Sequence, residues 1–293
     1  MTPESDAPAM VIHRRKRVWQ WLSAGSVLFM LFALGRAVAR SEIVWNDIPG
    51  YVTSGTLLTG LVGTITLTFS CMLLAVCLGT IVAVFRQSGN PILVGISVFY
   101  IWGFRAVPAL VQLILWFNIA LVFPRLSLGP FSGSTNDIMT PYVAALLGLG
   151  LCEAAYMAEI VRSGILSVPR GQVEAARSVG MSGWMTMRRV VLPQAVRVVI
   201  PPTGNQFIGM LKFTSLAFAV SYQDLLSSAT RIYTANFAVI EVLLSATIWY
   251  LVLCTLAQMV QAVIERHFAA PLGAASIRRS FRLSLKLPWR SAS

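Results

Sequence analysis

The chain has 293 residues, of which 56% are hydrophobic and 12% are charged, with a formal net charge of +12. A soluble domain ordinarily carries about 25% charged residues. This composition excludes a soluble globular domain and predicts an all-α, polytopic membrane protein. A charge of this size is also typical of nucleic-acid binding. The basic residues lie beside apolar segments, however, which favours a role in membrane topology and contact with anionic lipids.

Long apolar segments follow one another along the chain. Five of them reach the roughly 20 residues that a helix needs to cross about 30 Å of hydrocarbon. They lie at residues 18–38, 56–85, 141–161, 194–222 and 238–264. A sixth segment, 92–122, contains Arg105 and Pro108 near its centre, and we interpret it as one helix broken or kinked at the proline. The sequence therefore predicts about six transmembrane helices.

The distribution of basic residues predicts the orientation. Short cytoplasmic loops collect Lys and Arg. With the N-terminus inside, 17 of the 23 Lys and Arg residues fall in cytoplasmic segments and four in outer segments. Arg105 and Lys212 stay within the membrane. We therefore expect both termini in the cytoplasm, with residues 1–17 as a basic N-terminus and residues 268–293 as a basic tail.

The first apolar segment, 18–38, has two interpretations. Basic residues, an apolar run and Ala37-Val38-Ala39 together imitate a secretory signal with its cleavage site. The length of the run and the charge of Arg36 beside that site favour an extra N-terminal transmembrane helix. Removal of this helix would leave the other five predicted spans unchanged.

The side-chain chemistry argues against catalysis by this chain. None of the three Lys residues follows a G-x-x-x-x-G loop before Ser or Thr, so the P-loop of ATPases is absent from the sequence. The two His residues flank the apolar segments, which leaves neither a hydrolytic constellation nor a metal site. We expect no bound cofactor. The cysteines lie in apolar segments without CxxC spacing, which predicts buried free thiols: Cys71, Cys77, Cys152 and Cys254.

A polar, Arg-rich segment separates two apolar runs and reads EAARSVGMSGWMTMRRVVLP over residues 174–193. Its spacing is EAA-x3-G-x9-[VI]-x-LP. Pro169 and Gly171 precede it and predict that a short helix begins near Glu174, whose carboxylate would complement the helix dipole. Gly180 fits a C-terminal cap. We therefore predict two short helices bent at this glycine over residues 168–190, a segment called the elbow below.

The elbow resembles the cytoplasmic coupling loop of the permease subunits of ATP-binding cassette (ABC) importers. From residue 56 to residue 267 the sequence is similar to the polar amino-acid branch of these permeases. Residues 105–112, RAVPALVQ, resemble the RGTPLLVQ segment of that branch, and residues 155–162, AYMAEIVR, resemble AYxAExxR. Residues 211–216, LKFTSL, resemble LKDTSL, with Phe in place of the usual Asp.

The resemblance implies a type I ABC importer transmembrane domain over residues 56–267. It implies a homo- or heterodimer of permease subunits on two ATPase subunits, which bind ATP and Mg, and a periplasmic or extracellular binding protein that delivers a polar amino acid. The elbow would dock in a cleft of the ATPase and drive alternating access in the bacterial inner membrane. An amphipathic interfacial helix is the other interpretation of this segment. The implied coupling residues are Pro169, Gly171, Gln172, Glu174, Ala175, Ala176, Gly180, Leu192 and Pro193.

Ionisable groups inside a bilayer are costly and point to function. Glu153 lies near the middle of its segment, and Tyr156 falls on the same helical face. Two roles are open for Glu153. It recognises an ammonium group or a cationic side chain of the substrate, or it forms a buried ion pair with Arg105 or Lys212.

Further polar residues lie near breaks in the helices. The Pro201-Pro202 pair frees backbone groups that suit a polar ligand. The other candidates for the substrate path are Arg105, Gln112, Asn205, Lys212, Thr214 and Ser215. Interhelical hydrogen bonds are an equal alternative for the uncharged members. Glu159 and Arg162, at positions i and i+3 near the cytoplasmic end, predict a structural salt bridge.

A function from another class is a stand-alone secondary carrier or channel, in which Glu153 would carry a proton or select cations. The elbow distinguishes the two, because a carrier has no need of an exposed EAA-G-LP segment. A membrane enzyme is a third class, and the sequence lacks a catalytic constellation for it.

Overall fold

The structure is a computed structural model that describes residues 18–128 and 131–268. Its α-helices, numbered α1 to α12 in chain order, are Val18–Ala39, Ile48–Val52, Gly55–Arg86, Pro91–Ala106, Ala109–Phe117, Thr135–Ile138, Pro141–Leu166, Arg170–Ser178, Gly183–Thr186, Leu192–Phe213, Leu225–Asn236 and Val239–Phe268. The remaining elements are 3-10 helices at Trp45–Asp47, Ile119–Leu121 and Thr214–Val220, a π-helix at Met187–Val191, and strands β1 at Arg125–Leu128 and β2 at Phe131–Ser134.

The first of two compact units ends at Val44 and contains α1. This helix has 22 residues and is therefore about 33 Å long. Its described side chains are exposed from end to end, and the part from Trp21 to Ala39 is apolar enough for a membrane span. The helix thus has the all-round apolar surface of a helix whose solvent is lipid.

The second unit, from Trp45 onward, is built on α3 and α7. Glycine lets these long helices approach closely. A Cβ atom on Gly79 would lie 2.7 Å from the Met157 Cβ and 2.8 Å from the Ala154 carbonyl oxygen, which is nearer than atoms in contact can come. Small residues at such crossings allow the van der Waals packing that holds helices together in a membrane.

Helices α5 and α10 pack on the α3–α7 pair. One buried cluster joins the four helices, and its members include Leu67, Cys71, Leu113, Leu149 and Met210. A second cluster joins α3, α11 and α12. The packing therefore places both α5 and α10 directly against α7.

The bend between α4 and α5 lies at the predicted proline. α4 ends at Ala106, α5 begins at Ala109, and their axes differ by 101°. Val107 is extended, at φ −87° and ψ 129°, as the ring of a following proline requires. The sequence predicted one helix broken or kinked at Pro108, and a bend of 101° is compatible with a broken span or with a re-entrant loop.

The described residues contain four helices long and apolar enough to span a membrane, or five when α4 and α5 count as one. The predicted all-α membrane bundle is confirmed, although a short antiparallel hairpin, with Arg125 opposite Ser134, was not predicted. The structure differs from the prediction at residues 194–222, which were expected to form one transmembrane helix. That segment forms α10 and a 3-10 helix, and α10 has the length of a span but is too polar to qualify, because Gln194, Arg197, Asn205 and Gln206 lie within it.

Candidate functional site

A cavity of about 510 Å³ lies where the α4–α5 bend meets α7 and α10. Its charged, amide and phenol-bearing lining residues are Arg105, Glu153, Gln206 and Tyr156. The remaining lining residues are Ala106, Val107, Pro108, Ala109, Leu149, Cys152, Gly209, Met210 and Phe213. The helix bend at Pro108 forms one wall, and α4, α7 and α10 supply the charged and amide groups.

Glu153 on α7 and Gln206 on α10 are joined across the cavity wall. The Gln206 Nε2 donates to the Glu153 Oε1 over 2.5 Å. The sequence offered an ion pair with Arg105 or Lys212 as an alternative role for Glu153. Across residues 18–128 and 131–268, no salt bridge joins Glu153 to either cation. The Glu153 carboxyl group is therefore held by a neutral amide and not by either of these two cations.

Arg105, in the last turn of α4, lies over an aromatic face. Its guanidinium carbon is 5.1 Å from the centre of the Tyr156 ring, within the range of a cation–π interaction. The Arg105 side chain is exposed, and no carboxylate in the described part of the chain pairs with it. Tyr156 thus orients a guanidinium without neutralising it.

The cavity consequently presents one carboxylate and one guanidinium that do not neutralise each other. A guanidinium binds a carboxylate in a bidentate fashion, and a carboxylate accepts hydrogen bonds from an ammonium group. Met210 and Phe213 give the same cavity an apolar side. This combination suits a small zwitterion whose ammonium and carboxylate groups are attached to the same carbon atom.

Gln112 has a different position from the one expected of a path residue. It is buried on α5, and its Nε2 donates 2.8 Å hydrogen bonds to the carbonyl oxygens of Phe104 and Val107. These carbonyls lie at the α4 end, where the bend removes their helical partners. Gln112 therefore fixes the bend that shapes the cavity and does not line it.

Four other predicted path residues lie outside the cavity lining. Thr214 and Ser215 donate their hydroxyl groups to carbonyl oxygens in the last turn of α10, those of Leu211 and Lys212. Asn205 and Lys212 are exposed. The structure thus brings together Arg105, Glu153 and Tyr156 with Gln206, and separates them from the other candidates.

The elbow consists of α8, α9 and the π-helix Met187–Val191. α8 ends in a Schellman motif, in which the Gly180 N–H donates to Arg177 O over 2.9 Å and the Met181 N–H donates to Ala176 O over 3.1 Å. Gly180 has φ +82°, a backbone conformation that other residues rarely adopt. The structure therefore has the bend at the glycine where the sequence predicted it.

One local expectation in the elbow is wrong. Glu174 was expected near the start of its helix, but α8 begins at Arg170, directly after Pro169, so that Glu174 is the fifth of nine residues. The effect of a helix dipole falls off within the first turn. Glu174 is exposed at mid-helix, and its carboxylate is available to another protein.

The surface of the elbow is open to a partner. Val179 and Trp184 expose 78% and 71% of their surfaces and lie among the charged side chains of the elbow. Ala175 is exposed and Ala176 is buried, so the small residues belong to both the outer and inner faces of α8. Leu192 and Pro193, at the start of α10, follow directly after the π-helix.

A cluster of charges lies between the end of α3 and α7. The Glu159 Oε2 is 2.7 Å from the Arg162 Nη2, and the Glu159 Oε1 is 4.0 Å from the Arg86 Nε. The geometry places the expected i, i+3 pair together and adds a cation from α3. One carboxylate thus connects two helices at the end of the bundle that carries the elbow.

Sequence reasoning missed Asp224, a buried acid just before α11 and outside the candidate spans. Its carboxylate accepts hydrogen bonds from the backbone N–H groups of Leu226 and Ser227 at 3.1 and 2.9 Å. Burial nevertheless raises the pKa of Asp224 to about 6. An Asp followed by Leu225, Leu226 and two serines is a recognisable N-cap, and that signal could have found it.

The cysteines are free thiols, but their predicted burial is only partly correct. Cys71 and Cys152 are buried, Cys254 is half-buried, and Cys77 is exposed. Cys77 lies on a face of α3 that the described bundle leaves uncovered, where an apolar thiol is compatible with lipid. No group of metal-binding side chains occurs within the described residues.

A bundle of apolar helices, a charged cavity within it and an exposed elbow at one end together define a membrane-spanning transport subunit. Residues 75–270 match the family model of the binding-protein-dependent transport system inner membrane component. This chain belongs to that family. Family members are transport components, and the ATPase is a separate subunit.

Curated relatives are also permease proteins of transport systems. The arginine transport system permease protein ArgU of Corynebacterium glutamicum is 40% identical over 252 residues, which cover 85% of this chain and 80% of that protein. The glutamate/aspartate import permease protein GltK of Escherichia coli O157:H7 is 34% identical over 218 residues, 73% of this chain and 93% of that protein.

Solved structures give the fold. A chain in a crystal structure of an amino acid ABC transporter with histidines matches with a TM-score of 0.68 and 29% identity, over 78% of this chain and all of that one. The inward-facing MetNI methionine ABC transporter matches with a TM-score of 0.61 at 21% identity, over 73% of this chain and 96% of its own, and supports the fold alone. The predicted type I importer architecture is confirmed.

Proposed function

We propose that this chain is the permease subunit of an ATP-driven importer that moves a polar amino acid. The observation that carries the proposal is the position of α10. It begins at the elbow with Leu192 and reaches Gln206 in the cavity wall 14 residues later, about 21 Å along a helix. One helix therefore connects a surface suited to an external motor with a charged cavity suited to a zwitterion.

The substrate is assigned from the cavity. Arg105 would bind the α-carboxylate and Glu153 the ammonium group of an amino acid, with Gln206 orienting the Glu153 carboxylate. The cavity volume of about 510 Å³ is ample for one such molecule. The names of the relatives, an arginine permease and a glutamate/aspartate permease, agree with amino acids as the class.

The partners follow from the family. Two ATPase subunits, which would supply ATP and Mg sites, would receive the elbows of two permease subunits, identical or different. A binding protein outside the membrane would deliver the amino acid. Closure of the ATPases would move the elbows together and turn the cavity outward, and ATP hydrolysis would return it inward.

The proposed location is the bacterial cytoplasmic membrane with both termini in the cytoplasm, supported by the excess of Lys and Arg in the segments assigned to that side. Docking of the ATPase at the elbow and binding of the amino acid in the cavity are parts of the same proposal. Accessibility of single cysteines introduced at Ser41 and Ser88, on opposite ends of predicted spans, would test the orientation.

The test of function is purification of the solubilised chain with whatever binds it, followed by an ATPase assay. The recovered complex is expected to contain an ATPase whose turnover rises severalfold with a binding protein loaded with L-arginine, L-glutamate or L-cystine. A chain that is recovered alone and transports these amino acids without ATP would instead establish the secondary carrier.

A further inference from the structure

One side chain connects the elbow to the helix that walls the cavity. Gln194 is the third residue of α10 and is half-buried. Its Nε2 donates to the Gln172 Oε1 over 2.6 Å and to the Val190 carbonyl oxygen over 2.8 Å. The two hydrogens of one amide group thus bind α8 and the end of the π-helix at the same time.

The Val190 carbonyl lies at a junction between two helical hydrogen-bond patterns. In the π-helix Met187–Val191 the ring is wider by one residue, and the Leu192 N–H donates to Met187 O. The Gln194 side-chain amide gives this carbonyl a donor at the point where the π-helix passes into α10.

The Gln172 partner belongs to the part of the elbow that faces outward. α8 packs on α9 and on the π-helix, and Gln172 itself is exposed. Any displacement of α8 relative to α10 must therefore stretch a short, well-formed hydrogen bond or move Gln194 with it. The far end of α10 carries Gln206 and Phe213, which line the cavity.

We infer that Gln194 is a positioning residue that transmits movement of α8 to α10 through Gln172, an inference that rests on the proposed function. It acts through the elbow and α10 and touches neither nucleotide nor substrate. Its loss is expected to loosen the connection between ATP hydrolysis and transport, because α8 could then move without α10.

The test uses the complete complex of this chain, its ATPase and its binding protein in proteoliposomes. Uptake of a labelled mixture of L-arginine, L-glutamate and L-cystine is measured together with ATP hydrolysis. In the Gln194→Ala variant, amino acid taken up per ATP is expected to fall about fivefold, the equilibrium effect of losing one hydrogen bond, with hydrolysis changed less than twofold.

Further variants distinguish coupling from packing. Gln172→Ala is expected to match Gln194→Ala, because each removes the hydrogen bond that joins Gln172 and Gln194. The double variant Gln172→Ala, Gln194→Ala is expected to be no worse than either single one. Gln87→Ala is the matched control, because the Gln87 amide reaches only Ala83 O in its own helix.

A merely structural role would lower uptake and hydrolysis together, in proportion to the amount of assembled complex, and would overturn the inference. Effects of Gln172→Ala and Gln194→Ala that add in the double variant would overturn it as well. If wild type couples ATP hydrolysis to uptake and every variant takes up as much amino acid per ATP as wild type does, this inference is contradicted and the proposed function is not. A wild type without ATP-dependent uptake overturns the proposed function and this inference with it.

Discussion

The Glu153 carboxylate on α7 accepts a 2.5 Å hydrogen bond from the Gln206 amide on α10. An amide orients a carboxylate without cancelling its charge, whereas an arginine or lysine at the same place would neutralise it. No cation among the described residues forms a salt bridge with Glu153. An acidic side chain without such a partner is costly in a membrane, which argues for a role in ligand recognition.

Glu153→Gln is expected to raise the KM for uptake by about 10- to 100-fold, since a hydrogen bond to a charged group contributes about 1.5–3 kcal/mol. The abundance of the chain in the membrane should stay within twofold of wild type. Glu159→Gln, a carboxylate on the same helix outside the cavity lining, is the matched control and should leave KM unchanged. Low abundance with a normal KM would show that Glu153 serves packing.

Gly180→Ala is expected to weaken binding of the ATPase subunit by about 5- to 30-fold. No other atom lies within 4 Å of the position of the new Cβ, so the cost is that of a left-handed backbone, about 1–2 kcal/mol. Titration of the solubilised chain with the ATPase measures the effect.

The control for this variant is Gly183→Ala. Its new Cβ also meets no atom within 4 Å, but Gly183 has no positive φ. Binding by Gly183→Ala should equal that of wild type. Equal weakening by both substitutions would show that the left-handed turn after α8 is not what the ATPase requires.

Gln112→Leu is expected to lower the free energy of unfolding of the solubilised chain by about 1–3 kcal/mol, because two partly buried carbonyl groups lose their donor. Asn118→Ala serves as the control, since Asn118 is exposed and reaches only Ile114 O in the preceding turn. Denaturant titration of both variants measures the difference. Unchanged stability in Gln112→Leu would mean that the bend at Pro108 holds without this side chain.

Parts of this account were predictable because their causes are local. A proline such as Pro108 favours a break in a helix, and glycine, as at Gly180, is favoured where a helix ends in a left-handed residue. The break expected at Pro201-Pro202 did not form, because α10 continues through both prolines. The exposed, charged residues of the elbow likewise belong to one continuous segment of the sequence. Short-range chemistry of this kind does not depend on how the helices are rotated.

The pairings across helices were not predictable in the same way. Gln206 lies 53 residues from Glu153, and whether they meet depends on the rotation of α7 and α10 about their axes. The rotation of α10 likewise determines that Lys212 is exposed. The error at Glu174 was smaller, because it arose from placing the start of α8 a few residues too late.

Asp224 predicts a pH dependence of stability. Its pKa is about 6 in the folded chain and about 3.9 in an unfolded one, so the protonated acid is favoured by folding. The sign follows from linkage. The stabilising contribution is complete below about pH 4 and is lost as the pH rises through about 6.

The stability of wild type relative to Asp224→Asn should therefore fall by on the order of 2–3 kcal/mol between pH 4 and pH 7 and stay level above it. Asn retains an oxygen that caps α11 and does not titrate. Unfolding of both chains in denaturant at several pH values gives the difference. A difference independent of pH would mean that the buried carboxylate does not titrate in this range.

The most direct test of the central claim is uptake into proteoliposomes that contain the chain with its ATPase and binding protein. With ATP enclosed, labelled amino acid is expected to accumulate above the outside concentration. With a non-hydrolysable ATP analogue enclosed, accumulation should cease. Equal accumulation in both cases, driven by a proton gradient, would contradict the account and identify the chain as a carrier.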